Sequence, residues 1–377
     1  MKCPKCGSAD TFRRGGMRGG CKACRRTFNW MGEEAAQAVE LARSGYAPEH
    51  DMTHTAAPGF AVKGTSTLYR DDGTVAQQWV KTTADAEMRL AAMVTACESL
   101  AADLPQLPPR RASGAWRTDL LTVYPIGDPH IGMYAWGDET GEDWDLGIAE
   151  RVHCGAMAEL VHAAPATEQA IVLNLGDLFH YDGLAAVTPR SGHNLDADGR
   201  YAKMIDVGIK ILRQCIESAL TKHKAVHVMS LPGNHDESSA LFLSVALRHI
   251  YEREPRVTIE ASPALFQYFR WGRVLLGAHH GHTAKADKLP GIMATDRAKD
   301  WGETLHRHWL TGHIHHESKK ELAGCTVESF NTLAGKDAYA TNGGWRSGRS
   351  MQAVIYHREH GEVARSKVHA AMFAEAA

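Results

Sequence analysis

Short apolar runs recur along the chain from about residue 120, and five of them lead into short motifs of aspartate, asparagine and histidine. The runs predict strands over 120–126, 170–175, 225–231, 273–278 and 308–311, with later β segments at 325–330 and 351–356. Between them, apolar positions three and four apart predict helices over 147–163, 200–220 and 239–250. Strand, polar motif and helix alternate, which specifies an α/β fold. Strand alternation alone suggests a doubly wound sheet, with ligands just beyond the C-terminal strand ends. No internal repeat of fixed period is visible.

The first 112 residues follow another pattern. Residues 33–45 carry Ala35, Ala36, Val39, Leu41 and Ala42 and stop at Gly45, which predicts a short helix. Residues 60–82 read as a hairpin turning at Asp71-Asp72-Gly73. Helical spacing returns over 84–102, and Leu104-Pro105-Gln106-Leu107-Pro108-Pro109 reads as a linker. The expected organisation is residues 1–30, a helical and β-hairpin region over 31–112, and a large domain over 113–377.

Composition refines this picture. The 377 residues are 44% hydrophobic and 23% charged with a formal net charge of −2, ordinary for a globular protein and no global attraction for nucleic acid or membrane. No apolar run reaches the ~20 residues of a transmembrane helix, and the Met-Lys-Cys-Pro-Lys-Cys start shows no secretory signal. A cytoplasmic location is expected, with no membrane partner. Residues 1–30 are an exception in charge, with eight lysines and arginines against one acid, Asp10.

Of the eight cysteines, four form Cys3-x2-Cys6 and Cys21-x2-Cys24, two knuckles that can meet on one tetrahedral ion. A zinc ribbon with one structural Zn²⁺ is expected, because so small a module needs a staple in place of a core.

Five motifs carry the chemistry: Asp128-Pro129-His130, Gly176-Asp177-Leu178-Phe179-His180, Gly233-Asn234-His235-Asp236, His280-Gly281-His282 and Gly312-His313-Ile314-His315. Each follows an apolar run. Together they offer carboxylates, imidazoles and an amide, an oxygen and nitrogen donor set suited to Mn²⁺, Fe or Zn²⁺. One carboxylate can bridge two ions, and a two-metal clamp is suited to cutting phosphate esters. His279, His280 and His282 compete for one place, His316 adjoins His315 without an expected metal role, and Asp182 and Asp236 are acids near enough to orient histidines.

In order and wording, these motifs resemble the calcineurin-like metallophosphoesterase superfamily over residues ~120–330. The resemblance implies a β-sandwich flanked by helices. It puts Asp128, His130, Asp177 and His315 on one metal and Asp177, Asn234, His280 and His313 on the other, with His280 preferred because the family ligand usually precedes glycine. His235 then serves as acid or transition-state stabiliser over the phosphate. Gly-Asp-Leu-Phe-His resembles the SbcD-type DNA-repair nucleases, which implies that His180 assists His235. The chain departs from that group in its cysteine-rich start and in showing no coiled-coil partner site. Its arrangement of ribbon, β-rich segment and phosphoesterase resembles bacteriophage-encoded proteins.

The expected function is a two-metal-dependent phosphodiesterase acting on DNA, a nuclease, with Mn²⁺ the first-choice ion. Arg13, Arg14, Arg18, Arg25 and Arg26 are candidate DNA contacts, joined by Arg190, Arg200, Arg346 and Arg349 around the core and by Phe28 and Trp30 as stacking surfaces. The stretch 188–201 is either a substrate-facing loop or an insertion. Two alternatives stand beside this reading. One is a phosphodiesterase or phosphatase for a small nucleotide or phosphoprotein, with the ribbon binding another protein; a homo-oligomer or another protein partner is left open. The other is a non-catalytic nucleic-acid-binding protein.

Overall fold

In a computed structural model of the chain, residues 115–189 and 191–373 are described throughout. Of the first 114 residues, 3, 6–13, 18–25, 27–29, 46–47, 52–53, 60–70 and 75–84 are described. The chain divides into two compact units, Met1–Met93 and Val94–Ala377. The helix expected over 33–45, all but Ala84 of the helix expected over 84–102, and the linker at 104–109 lie outside the described residues.

The first unit begins with three short antiparallel strands, β1 (Thr11–Arg13), β2 (Arg18–Cys21) and β3 (Thr27–Asn29), in that order. They bring four thiols together. Cys3 Sγ lies 3.7 Å from Cys24 Sγ and Cys6 Sγ lies 3.6 Å from Cys21 Sγ. Two-residue strands β4 (Tyr46–Ala47) and β5 (Met52–Thr53) pair next. The expected hairpin then forms from β6 (Phe60–Tyr69) and β7 (Val75–Ala84).

The second unit holds two sheets. The first has six strands in the order β11-β10-β9-β8-β17-β18, formed by β8 (Arg117–Ile126), β9 (Thr167–Asn174), β10 (Ala225–Ser230), β11 (Val257–Ile259), β17 (Ser350–His357) and β18 (Gly361–His369). β8 to β11 pair in parallel, while β17 joins β8 and β18 antiparallel. The second sheet orders β12 (Gln267–Trp271), β13 (Val274–His279), β14 (His306–Thr311), β16 (Cys325–Ser329) and β15 (Ser318–Leu322).

Alternation along each strand makes three apolar layers. Leu121, Val123, Ile171, Leu173, Val274, Leu276, Leu310 and Val354 meet between the sheets. From the opposite face of the first sheet, Tyr124, Ala170, Val172, Val226 and Val228 meet helices α2 (Leu146–Ala163), α3 (Tyr201–Leu220) and α4 (Glu237–Ile250), α1 being the single turn Gly137–Thr140. Leu275 and Trp309 point outward from the second sheet to Leu289 and Met293 of α5 (Leu289–Asp296), which leads to α6 (Ala298–Glu303).

This is a β-sandwich flanked by helices. The doubly wound sheet suggested by strand alternation is not what forms, because β12–β16 build their own sheet and the apolar runs bury one face against it. α3 shows why its sequence folds as it does: Met204, Gly208, Ile211, Leu212, Cys215, Ile216 and Ala219 make one buried stripe. No helix among the described residues is long and apolar enough to cross a membrane.

Candidate two-metal active site

The motifs converge beyond the ends of β8, β9, β10, β13 and β14. Asp128 and His130 follow β8, Asp177 and His180 follow β9, and Asn234 and His235 follow β10. His280 follows β13, and His313 and His315 follow β14. Three donor groups form, each with its ligand atoms within 4.8 Å of one another: Asp128, His130 and His315; Asp177, His280 and His313; and His130, His180 and His235.

Asp177 stands between the first two groups. Its Oδ2 is 3.1 Å from His280 Nε2 and 4.0 Å from His130 Nε2. Its Oδ1 accepts the backbone N–H of His235 at 2.8 Å. Asn234 Oδ1 is 3.1 Å from His280 Nε2. On the other side, His130 Nε2 and His315 Nε2 face each other at 3.1 Å, and His315 Nε2 is 3.5 Å from Asp128 Oδ1. The backbone N–H of His313 donates to Asp128.

The backbone is strained at these positions. Of six non-glycine residues with positive φ among those described, five are Asp128 (44°), His130 (45°), Asp177 (50°), His313 (70°) and His315 (56°). Such conformations cost roughly 1–3 kcal/mol each and persist only where surrounding structure enforces them. The enforcement is visible. Leu178 and Phe179 are buried in the helix-side core and anchor the loop of Asp177. A Cβ on Gly312 would come within 2.5 Å of Asp128 Oδ2, and one on Gly176 within 2.7 Å of His280 Nδ1, so only glycine lets these loops close.

Hydrogen bonds fix the rings. His280 Nδ1 donates to the Leu175 carbonyl at 2.8 Å, which leaves Nε2 as the donor atom toward Asp177 and Asn234. Burial opposes charge on His280, but attraction to Asp177 outweighs it and pushes its pKa up to about 10. Burial likewise opposes charge on Asp177, yet His280 and His130 hold its carboxyl well below the usual range. Two buried carboxylates, four converging imidazoles and an amide oxygen fit a pair of divalent transition ions. The facing His130 and His315 nitrogens carry that fit best, because two ring nitrogens at 3.1 Å can share at most one proton but can both bind one cation.

His235 donates Nδ1–H to the His180 carbonyl at 2.9 Å, which points Nε2 away from that bond. Its ring stacks on His180 at 5.8 Å. Burial, with nearby His235, pushes the His180 pKa down to about 3, so that ring is neutral. His180 Nδ1 is 3.3 Å from His130 Nδ1.

Neighbouring candidates fall elsewhere. His279 stacks on Phe266 and bonds Thr283, and His282 stacks on His279. Asp236 is buried and accepts the N–H groups of Gly233 and Phe179, tying two motif loops together, and burial pushes its pKa up to about 7. Asp182 orients no histidine: it accepts the N–H groups of Ser238 and Ser239 and so caps α4, whose own N-cap, Asp236, makes no such bond. His316 is exposed and bonds the Ile314 carbonyl. One contact had no sequence signal: Thr332 Oγ1 donates to the Asp128 carbonyl at 2.6 Å and steadies its turn.

Two of the arginines expected to reach phosphates are engaged within the protein. Arg349 bonds the Leu333 carbonyl, pairs with Glu142 and lies over the Trp144 ring. Arg346 bonds the Thr341 and Trp345 carbonyls. Arg200 is exposed at the start of α3. Arg14, Arg26, Trp30 and Arg190 lie outside the described residues, as do the side chains of Arg13, Arg18 and Phe28; Arg25 is exposed.

The sequence matches no family model and no curated protein. Among solved structures, the chain is similar to a dimetal phosphatase from Danio rerio (9% identity, covering 66% of this chain and 98% of that one, TM-score 0.36). It is similar to Vps29 complexed with Zn²⁺ from Entamoeba histolytica (15% identity, 66% and 99%, TM-score 0.29). A third is a predicted phosphoesterase from Streptococcus pneumoniae (11% identity, 66% and 98%, TM-score 0.27). Likenesses this distant place no function on the chain; its own side chains must do that.

Proposed function

We propose that the chain is a two-metal-dependent phosphodiesterase that cuts DNA. The observation that carries the hydrolytic reading is the buried Asp177 carboxylate lying between two donor groups, with the His235 ring beside them. Asp128, His130, Asp177 and His315 would hold one ion, and Asp177, Asn234, His280 and His313 the other. When bound, the two cations neutralise phosphate charge and acidify a water. The chain's own residues do the rest. Asp177 would offer a carboxylate oxygen to both ions. His235, oriented through Nδ1 by the His180 carbonyl, can deliver a proton from Nε2 to the leaving oxygen. His180 holds that ring by stacking and is the positioning residue.

The four thiols of Cys3, Cys6, Cys21 and Cys24 are proposed to hold a structural Zn²⁺, because all their sulfurs lie within one ion's reach. DNA as substrate is favoured by the excess of basic residues over 1–30. A small diester is favoured by a specific observation: the guanidinium groups of Arg346 and Arg349 bond carbonyls and Glu142 of their own protein. Turnover with Mn²⁺ on single-stranded DNA, double-stranded DNA and bis(p-nitrophenyl) phosphate separates the readings. DNA cleavage that weakens with salt and on loss of residues 1–30 supports the first. Turnover of the chromogenic diester with intact DNA supports the second.

A further inference from the structure

Exposed aromatic rings are rare on the second unit. Among its described residues, the exposed tyrosines and tryptophans are Tyr134 (45%), Trp136 (54%), Tyr339 (71%) and Trp345 (56%). They fall in two pairs on elements that pack together. Tyr134 and Trp136 line a cavity of about 290 Å³ together with Glu139, Asp196 and Ala338. Ala338 begins the short helix α7 (Ala338–Asn342), which packs on α1 and carries Tyr339. The Tyr339 ring meets Trp345 at 5.1 Å.

The cavity adjoins the metal-ligand loops. Tyr134 lies four residues beyond His130, and the Met133 N–H returns to the His130 carbonyl. The Tyr134 N–H bonds the Asp196 carbonyl at 3.1 Å, and Met133 forms a β-bridge with Ala197. Residues 196–198 of the polar stretch thus lie against the segment that follows His130, and Asp196 stands in the cavity wall.

The chemistry of the cavity is selective. Its Tyr134 and Trp136 rings, with Ala135 and Ala338, offer apolar surface on which a planar ring could lie. Its two exposed acids, Glu139 and Asp196, have carboxylates that no described side chain or backbone donor engages. Two carboxylates repel a phosphate but accept N–H donors. A nucleobase supplies both a π-face and ring or exocyclic N–H groups.

We infer that the cavity walled by Tyr134 and Trp136 is a nucleobase subsite, stacking one base of the substrate while Asp196 and Glu139 accept its N–H groups. The inference rests on the phosphodiesterase reading and narrows it: the substrate is a nucleotide-bearing diester, engaged by a base as well as by its phosphate. Recognition of this kind is sequence-tolerant, since every base has a π-face.

The test compares kcat/KM, with Mn²⁺, for a single-stranded oligonucleotide and the same strand carrying abasic sites throughout. Wild-type protein is expected to prefer the base-bearing strand by about tenfold, the usual scale of one base–aromatic stack. Trp136→Ala should bring that ratio toward one, Trp136→Phe should keep most of it, and Asp196→Asn should reduce it, most for guanine strands, whose ring and exocyclic N–H groups suit a carboxylate best. Quenching of 2-aminopurine fluorescence on binding should follow the same order. Equal rates on the two strands in the wild type, or a ratio unmoved by Trp136→Ala, would overturn the subsite while leaving the hydrolytic reading intact. If neither strand nor bis(p-nitrophenyl) phosphate is turned over, the hydrolytic reading itself fails and the subsite falls with it.

Discussion

Asp177 is the residue on which the site turns. Its two oxygens face different partners, His235 N–H on one and His280 on the other, from a buried position with φ of 50°. Asp177→Asn keeps the shape and halves the available charge. It should lower kcat on bis(p-nitrophenyl) phosphate by about two orders of magnitude or more and reduce bound transition metal. His235→Ala should behave differently. It removes a proton donor and no ligand, so kcat should fall by about 10²–10⁴ with metal content unchanged. Mass-spectrometric metal analysis beside the chromogenic assay separates the two. Full activity in either variant would remove that residue from the mechanism. Ligand candidates were legible in the sequence because each sits behind an apolar run. Their left-handed backbone was not, since nothing in Asp-x-His or Gly-His-x-His demands positive φ. It arises from the packing of Phe179, the glycines at 176 and 312, and the Thr332 contact.

The loops are held by the elements beneath them. β8, β9 and β10 are buried on both faces, so their apolar runs read plainly as strands. β15, Ser-Lys-Lys-Glu-Leu, is an exposed edge with no apolar signal, and β11 has only three residues; both were silent in the pattern. The partition into two sheets was silent too, because periodicity reports that a strand is buried and not which neighbour it pairs with. Helix α4 makes a testable case of support from a distance. Its first turn is capped by Asp182, from the loop after β9, through Ser238 and Ser239. Asp182→Ala should cost about 1–2 kcal/mol in urea unfolding, with Asp182→Asn recovering part of it. An unchanged midpoint would show the cap to be dispensable. In the cysteine-rich segment, Cys3→Ser should release Zn²⁺ without lowering the metal content of the core.

For the molecule as a whole, the 22 histidines include two buried populations. Some surround Asp128 and Asp177. Others are structural: His153 bonds the Ala149 carbonyl, and His223 bonds Tyr124 and Thr167 inside the helix-side layer. Burial pushes both down to about 4. The unfolded chain takes up these protons near pH 6.5, while the folded chain refuses them until about 4. Stability is therefore fully present above pH 6.5 and is lost as pH falls toward 4, by up to about 3 kcal/mol for each ring. Urea midpoints should decline between pH 7 and 4.5, with a shallower slope in His223→Gln; equal slopes would assign the loss elsewhere. The central claim is that distant loops build one bridged pair of cation sites. Anomalous diffraction from crystals grown with Mn²⁺ tests it most directly. Two peaks flanking the Asp177 carboxylate, one beside Asp128, His130 and His315 and the other beside Asn234, His280 and His313, are predicted. A single peak away from Asp177, or none in this pocket, would contradict it.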